Sequence, residues 1–395
     1  MKILVINAGS SSIKYSLFEM NSHRTLLSGM IEKIGETFAV HRYQLVEGET
    51  YTAEKVLPNH QQALTELFDV IHDTDVIKAG ELACIGHRVV HGGEHFKQPA
   101  LIDSQVLQQI ADKIPLAPLH NPANLLGIEE SMRLMGETPQ VAVFDTAFHQ
   151  SMPDYAYRYP LPENLYRDHG VRRYGFHGTS HAYVAKQAAK HLGKDLHFLN
   201  LITLHLGNGA SVTAIENGVS IDTSMGMTPL EGLMMGTRCG DIDPSMHFYL
   251  CRTLGLSIEA VESLLNKHSG CKGVCGENDM RTIHQMADAG NDAARLALAM
   301  YAYRIKKYIG AYFAVLGRVD ALVFTGGIGE NDAWLRQRCC EGLTGLGIGI
   351  DNDKNHAVER PIGEINSPDS LVKVLVIKTH EELEIAIQAK ACLAL

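Results

Sequence analysis

The sequence predicts an α/β protein made of two related halves that face each other across a cleft. Three observations predict it. A strand, glycine turn and strand run through Ile6-Asn7-Ala8-Gly9-Ser10-Ser11-Ser12-Ile13, and the same unit recurs at His205-Leu206-Gly207-Asn208-Gly209-Ala210-Ser211. Two short runs that are apolar at nearly every position, 140–144 and 321–325, read as strands covered on both faces. The chain has 395 residues, more than one core usually covers, so two domains are expected.

The elements follow in order. Strand-like runs fill the first hundred residues at 2–6, 13–18, 27–34, 38–46 and 84–90. Between them Leu64, Leu67, Phe68 and Ile71 have helical spacing. A second helical pattern follows Asn121-Pro122 through Leu125, Leu126, Ile128 and Met132, and the strand 140–144 ends at Asp145. The second half repeats the theme with strands at 200–206, 210–215 and 219–222. Asn217-Gly218 signals a hairpin between the last two. Helical patterns span 257–267 and 291–316. The second has Asn291 as N-cap and Leu296, Met300, Tyr303 and Tyr312 on its apolar side. The strand 321–325 runs into a glycine turn and a helix start, and a strand at 372–377 leads to a final helix.

Composition excludes several classes. Lys+Arg 35 against Asp+Glu 45 gives −10, which argues against non-specific binding to nucleic acid or an anionic membrane. An anionic substrate must then be held by particular arginines. No segment has the length or flanks of a membrane helix or signal peptide. The 8 cysteines include no CxxC pair, so reduced thiols in a cytoplasmic protein are expected rather than a zinc site.

The chemistry-bearing stretches come next. Each glycine turn is either a tight turn or a phosphate grip, since Gly and Ser turns expose backbone N–H groups and hydroxyls. A third turn, Thr325-Gly326-Gly327-Ile328-Gly329-Glu330-Asn331, puts N–H groups and a helix start at one point, suited to a nucleotide; it matches neither the lysine phosphate loop nor the dinucleotide fingerprint. Arg88 interrupts the apolar run His87-Arg88-Val89-Val90 and needs an anionic partner if buried. Arg238 sits in a Gly-flanked loop, either reaching a ligand or paired with Asp241 or Asp243. Asp145, beyond a strand end, can hold magnesium through water, act as a base, or cap a turn. In Tyr174-Gly175-Phe176-His177-Gly178-Thr179-Ser180-His181, His177 is the better placed to reach a ligand, and His181 to cap or pack. In Thr379-His380-Glu381-Glu382, Thr379 and Glu382 have capping-box spacing, which leaves Glu381 to hold a metal through water or to favour the helix N-terminus.

Taken together, VINAGSSSIKYSLF, HRVVHGG, PLHNPAN, VFDTAFH, YGFHGTSH, LHLGNGAS, DTSMGMTPLEGLMMGTRCGDIDP, VFTGGIGEN and EELEIA resemble the acetokinase family, which includes acetate and propionate kinases, in order and over nearly the whole chain. The resemblance implies two duplicated ribonuclease H-like domains of the acetate and sugar kinase/heat-shock/actin superfamily. These are an actin-like ATPase domain at 1–148, completed by a helix at 380–395, and a second at 149–379 with the nucleotide site in the cleft. It implies a cytoplasmic homodimer that transfers phosphoryl between ATP and acetate, giving ADP and acetyl phosphate, with Mg²⁺ (or Mn²⁺), and without nucleic-acid or membrane partners.

Carried over by position, Asn7 and Glu381 hold the metal, Lys14 contacts nucleotide phosphates, and Arg88 binds substrate. Asp145, His177 and Arg238 are catalytic. His205, Leu206, Gly207, Asn208 and Gly209 cradle phosphate. Asp279, Met280 and Arg281, with Gly326, Gly327, Ile328, Gly329 and Glu330, surround the nucleoside. Val90, Leu119 and Pro229 are expected to wall the acyl pocket. Two departures stand out: His380, where the family commonly has Asn or Asp, and the loop at 272–278 with Cys275, preceded by Cys271. The alternatives are a propionate kinase and a non-catalytic actin-like nucleotide-binding protein. The latter would keep the glycine turns without needing Arg88, Asp145, His177 and Arg238 together.

Overall fold

The structure, a computed structural model, describes residues 1–46, 48–78 and 80–394. Leu395, at the end of the expected final helix, lies outside the described residues. The chain divides into two compact units, Met1–Phe148 with His380–Leu395, and His149–Thr379.

The first unit contains β1 (Lys2–Ala8), β2 (Ser12–Glu19), β3 (Arg24–Glu32), β4 (Ala39–Leu45), β5 (Thr50–Lys55), β6 (Leu82–Val89), β7 (Ala100–Leu101) and β8 (Gln140–Phe144). They form one sheet in the order β5-β4-β3-β2-β1-β6-β8-β7. The second unit contains β9 (Asn200–Leu206), β10 (Ala210–Glu216), β11 (Val219–Thr223), β12 (Ala321–Thr325), β13 (Ile362–Glu364) and β14 (Lys373–Ile377), in the order β11-β10-β9-β12-β14-β13.

Five strands of each sheet share one plan. An antiparallel meander, β3-β2-β1 or β11-β10-β9, is extended by two parallel strands, β6-β8 or β12-β14. This is the ribonuclease H-like topology, present twice. The register matches too: Asn7 pairs with Lys14 and His205 with Ser211, each one pair in from its glycine turn.

Alternation along β1 explains the layers, because successive strand side chains point to opposite faces. Leu4 and Ile6 pack with Leu64, Leu67 and Ile71 of the helix His60–Asp73. Ile3 and Val5 pack with Ile385, Ala386 and Ala389 of the C-terminal helix Glu381–Cys392. β8 and β12 are buried at every position, as their apolar runs predict. Asn217 (φ 50°) and Gly218 (φ 84°) form the β10–β11 hairpin turn, and Ser257 and Asn291 cap their helices. Among the described residues no helix is long and apolar enough to cross a membrane.

Two expectations change. The helix Asp292–Leu316 buries Ala294, Leu298, Tyr301, Ile305, Ile309, Tyr312 and Leu316. Leu296 and Tyr303 are exposed. Tyr312 is buried as expected, but apolar residues lie on more than one face of this helix, so spacing alone mixes buried and exposed positions. At the C-terminal helix the capping box is absent. His380 is the N-cap and accepts from Leu383 N (3.3 Å), while the Thr379 hydroxyl bonds Ser180 (2.8 Å).

The HNPAN stretch has a specific task. Asn124 Oδ1 accepts from Val90 N (3.0 Å), and its Nδ2 donates to Ala8 O (2.7 Å). Asn121 does the same for His91, accepting from its N (3.1 Å) and donating to its O (3.0 Å). Both side chains are buried. They satisfy backbone groups where β1 and β6 run out of ladder partners. Asn124→Ala strands two such groups away from water. It should lower unfolding free energy by roughly 2–4 kcal/mol, measured by urea denaturation.

Candidate active site

In the first unit five of the expected residues gather at the strand ends. Asn7 is the penultimate residue of β1, Lys14 lies opposite it on β2, Arg88 is near the end of β6, and Asp145 follows β8. Glu381 opens the C-terminal helix. Arg88 forms an ion pair with Asp145 through Nη2, and Nη1 donates to Asn7 Oδ1 (3.3 Å). Burial works against the Arg88 charge, but Asp145, Glu381 and Glu382 hold its pKa above the ordinary arginine value. Its Nε is buried and has no hydrogen-bond partner among the described residues.

The two adjacent glutamates behave in opposite ways. Burial pushes the Glu381 carboxyl up to about 7; Arg88 pulls against this, and Asp145 and Glu382 add to the rise. Glu382, despite its burial, is held down at about 2 by His380 and Lys14. Lys14 forms an ion pair with Glu382. Among the described residues no three His, Cys, Asp or Glu side chains converge to cage a metal. Asn7 and Glu381 supply hard oxygen donors, which fits a cation such as Mg²⁺ that keeps water and substrate oxygens in its shell. A cation there would also favour the charged form of Glu381.

In the second unit, His177 is the N-cap of the helix Gly178–Leu192 and adopts a left-handed conformation (φ 56°). Its ring stacks on His205, with centroids 4.2 Å apart. Arg238 lies close by: a β-carbon at Gly209 would stand 3.4 Å from Arg238 Nη1 and 3.5 Å from His177 Cε1 and Nε2. So the 205–209 turn, His177 and Arg238 converge. Arg238 pairs with neither Asp241 nor Asp243. Asp241 accepts from Gly232 N (2.8 Å) and the Tyr308 hydroxyl (2.7 Å), and Asp243 from Ser245 N (2.9 Å). Arg238 donates to Pro229 O (3.2 Å), and burial lowers its pKa.

The nucleoside-side segments adjoin the same turn. Gly236 lies against the turn: a β-carbon there would press on the end of the Asn208 side chain and stand 3.5 Å from Asn278 Cβ. Gly326 (φ 78°) backs onto the Leu206 carbonyl. The stretch read as a glycine turn is itself a helix, Gly326–Asn331, in which Gly327 is exposed and Ile328 half-buried. Glu330 is already engaged, accepting from Thr379 N (3.1 Å) and Arg360 (3.0 Å). Asp279 caps the helix Met280–Asp288 and pairs with the exposed Arg281 (2.7 Å), while Met280 is buried. His284 ties that helix to Asp332 (2.8 Å). Of the expected acyl-wall residues, Val90 is buried and Leu119 is 56% exposed.

Several residues escaped sequence reasoning. Arg173 donates to the carbonyls of Thr223, Ser224 and Met225 and to Glu231 (2.6 Å), which clamps the loop leading to Arg238. His181 does pack, fully buried, as expected. Ser211 bonds both His177 and His181. It lies across the hairpin from His205.

The sequence profile of the acetokinase family matches residues 2–387. The acetate kinase of Syntrophobacter fumaroxidans is 53% identical over 394 residues, covering 98% of this chain and 96% of that one. Among solved structures, Porphyromonas gingivalis acetate kinase superposes with a TM-score of 0.94 at 45% identity, covering 99% of each chain. A propionate kinase from Francisella tularensis superposes with a TM-score of 0.93 at 43% identity, covering 98% of each chain. The fold is theirs, two duplicated domains of the acetate and sugar kinase/heat-shock/actin class.

Glu381 makes stability depend on pH. Its folded pKa lies above the unfolded value, so between about 4.5 and about 7 the folded protein keeps a proton that the unfolded chain releases. Stability from this group is therefore lost as pH rises through that window. In metal-free buffer, Glu381→Gln should gain stability relative to the parent from pH 5 to pH 8 and should lose a carboxyl titration near 7 in ¹³C NMR. A Tm difference independent of pH would contradict the assignment.

Proposed function

The chain belongs to the acetokinase family, and from that membership we propose that it catalyses reversible transfer of the ATP γ-phosphoryl group to acetate, giving acetyl phosphate and ADP. The observation that carries this reading is Arg88, a largely buried cation at the strand ends, its side chain 20% exposed, with Nη2 on Asp145 and a buried Nε left unpartnered among the described residues. Such a group is ready to bind an anion.

The acceptor sets the chemical task. A carboxylic acid titrates near pH 4, so acetate is already the nucleophile at neutral pH and needs no general base. The site must instead align two anions and cancel their repulsion. In this reading Arg88 holds the acetate carboxylate and meets the transferring phosphoryl group, and Asp145 fixes the orientation of the guanidinium. Arg238 and His177 stabilise charge on the phosphoryl oxygens. Lys14 and the 205–209 turn hold the nucleotide phosphates, and the 279–281 and 326–330 segments receive the nucleoside. Asn7 and Glu381 hold Mg²⁺, or Mn²⁺, which when bound neutralises phosphate charge. Transfer is direct and in line: Asp145 is committed to Arg88, which leaves it poorly suited to carry a phosphoryl group itself.

The reading also includes a cytoplasmic homodimer; the eight cysteines are free thiols, which suits a reducing compartment. Acetate is preferred to propionate here because the 53%-identical relative is an acetate kinase. One methylene changes selectivity by only ~1–3 kcal/mol, so the two are separated by kcat/KM for each acid; a propionate preference would overturn the substrate assignment.

Purified protein with Mg-ATP and acetate should yield acetyl phosphate, trapped by hydroxylamine as the hydroxamate; no hydroxamate would refute the function. Arg88→Ala and Arg238→Ala should each lower kcat by about a hundredfold or more while the protein stays folded by circular dichroism. A near-normal kcat in either would refute that residue's role.

A further inference from the structure

Behind His177 runs a continuous row of side chains that none of the roles above uses. Ser211 Oγ lies 2.8 Å from His177 Nδ1 and 2.8 Å from His181 Nε2. His181 Nδ1 lies 2.7 Å from Thr203 Oγ1. Ser211, His181 and Thr203 are all fully buried. Thr203 belongs to β9 and Ser211 to β10, and His181 stands in the first turn of the helix that His177 caps. The Cε1–Nε2 edge of His177 faces the Gly209 turn beside Arg238. The imidazole is thus gripped at Nδ1 and presents Nε2.

Proton counting limits what this row can be. A hydroxyl has one proton, so Ser211 donates to one imidazole and accepts from the other. Burial, reinforced by His149 and His205, keeps His181 well below the ordinary histidine pKa, so it is neutral, with one N–H and one bare nitrogen. With His177 neutral, two arrangements satisfy the three hydrogen bonds of the row. In the first, Thr203 donates to His181 Nδ1, His181 Nε2–H donates to Ser211, and Ser211 donates to His177 Nδ1; His177 then carries its proton on Nε2. In the second, each bond runs the other way and Nε2 is a bare lone pair. A phosphoryl oxygen only accepts, so a lone pair there would repel it.

We propose that Thr203, His181 and Ser211 form a buried positioning relay that fixes His177 as the Nε2–H tautomer, with its N–H aimed at a phosphoryl oxygen, and that Ser211 is the link that transmits this choice. The inference rests on the phosphoryl-transfer reading of the site. The logic is that of any catalytic imidazole whose far nitrogen is held by an orienting group. No covalent step is involved, and no proton leaves the row. The left-handed backbone at His177 fits the same account, since strained conformations persist where the surroundings over-determine them.

The test reads the tautomer directly. Full-length protein labelled with ¹⁵N-histidine, with the His177 signals assigned by comparison with His177→Gln, should show Nε2 protonated and Nδ1 bare by long-range ¹H–¹⁵N correlation. Ser211→Ala should yield a mixture of tautomers. It should lower kcat about ten- to hundredfold with KM for acetate and ATP changed less than about threefold, and Ser211→Thr, which keeps the hydroxyl, should recover most of the rate. If Ser211→Ala fails to fold, Thr203→Val breaks the row from its far end and should also mix the tautomers. An Nδ1–H tautomer in the parent, or an unmixed Nε2–H tautomer in the folded Ser211 or Thr203 variant, would overturn the proposal. The tautomer is read without substrate, so an Nε2–H His177 in a protein inert towards acetate would support the relay and count against the functional reading.

Discussion

The first unit is organised around one costly group, the largely buried Arg88 guanidinium at the carboxyl end of β6. A buried charge must be paired, and Asp145 at the end of the neighbouring parallel strand supplies the partner. That requirement explains why one apolar strand carries Arg88 next to its end and the neighbouring one is followed directly by Asp145. Asn124 and Asn121 explain how the strand ends stay in place, because they bond the backbone where the sheet ladder stops. Glu381 enters the same field from the returning C-terminal helix. Its carboxyl titrates high because burial disfavours the charge, and Asp145 and Glu382 add like charge. The pairing of Lys14 with Glu382 divides two adjacent acids into one committed to an ion pair and one left poised near neutrality.

The second unit solves a related problem with the same topology and different chemistry. The register position held by Asn7 and Lys14 in the first sheet is held by His205 and Ser211 in the second. Charge governs the first hairpin. A hydrogen-bonded row governs the second, where His205, His177, Ser211 and His181 are ordered by stacking and by hydroxyl bridges. Duplication therefore supplied equivalent frames, and the side chains one pair in from each glycine turn differentiated.

Much of this was legible in the sequence, for physical reasons. Strands β8 and β12 were readable to the residue because a strand covered on both faces is apolar at nearly every position, and β9 because a mostly apolar run meets a glycine turn at its C-terminal end. Two of the three glycine stretches were legible as turns between paired strands, and the third is a helix start. The stripe of the helix Asp292–Leu316 was not legible, because that helix offers apolar residues in several directions and the tertiary partner decides which face is used. The capping box was misread because the Thr379 hydroxyl bonds Ser180 and His380 takes the N-cap position. Ser211 was hidden for a different reason: a serine carries no signature, and its importance lies in which two nitrogens it stands between.

The proposed reaction needs electrostatic alignment and little else. Acetate arrives ionised, Asp145 is bound to Arg88, and no group on the protein must take up the phosphoryl group on the way. The most direct test is the stereochemistry of a single turnover with ATP made chiral at the γ-phosphorus. Direct in-line transfer to acetate predicts inversion of configuration in the acetyl phosphate. Retention would mean two displacements through a phosphorylated side chain, and would contradict the account.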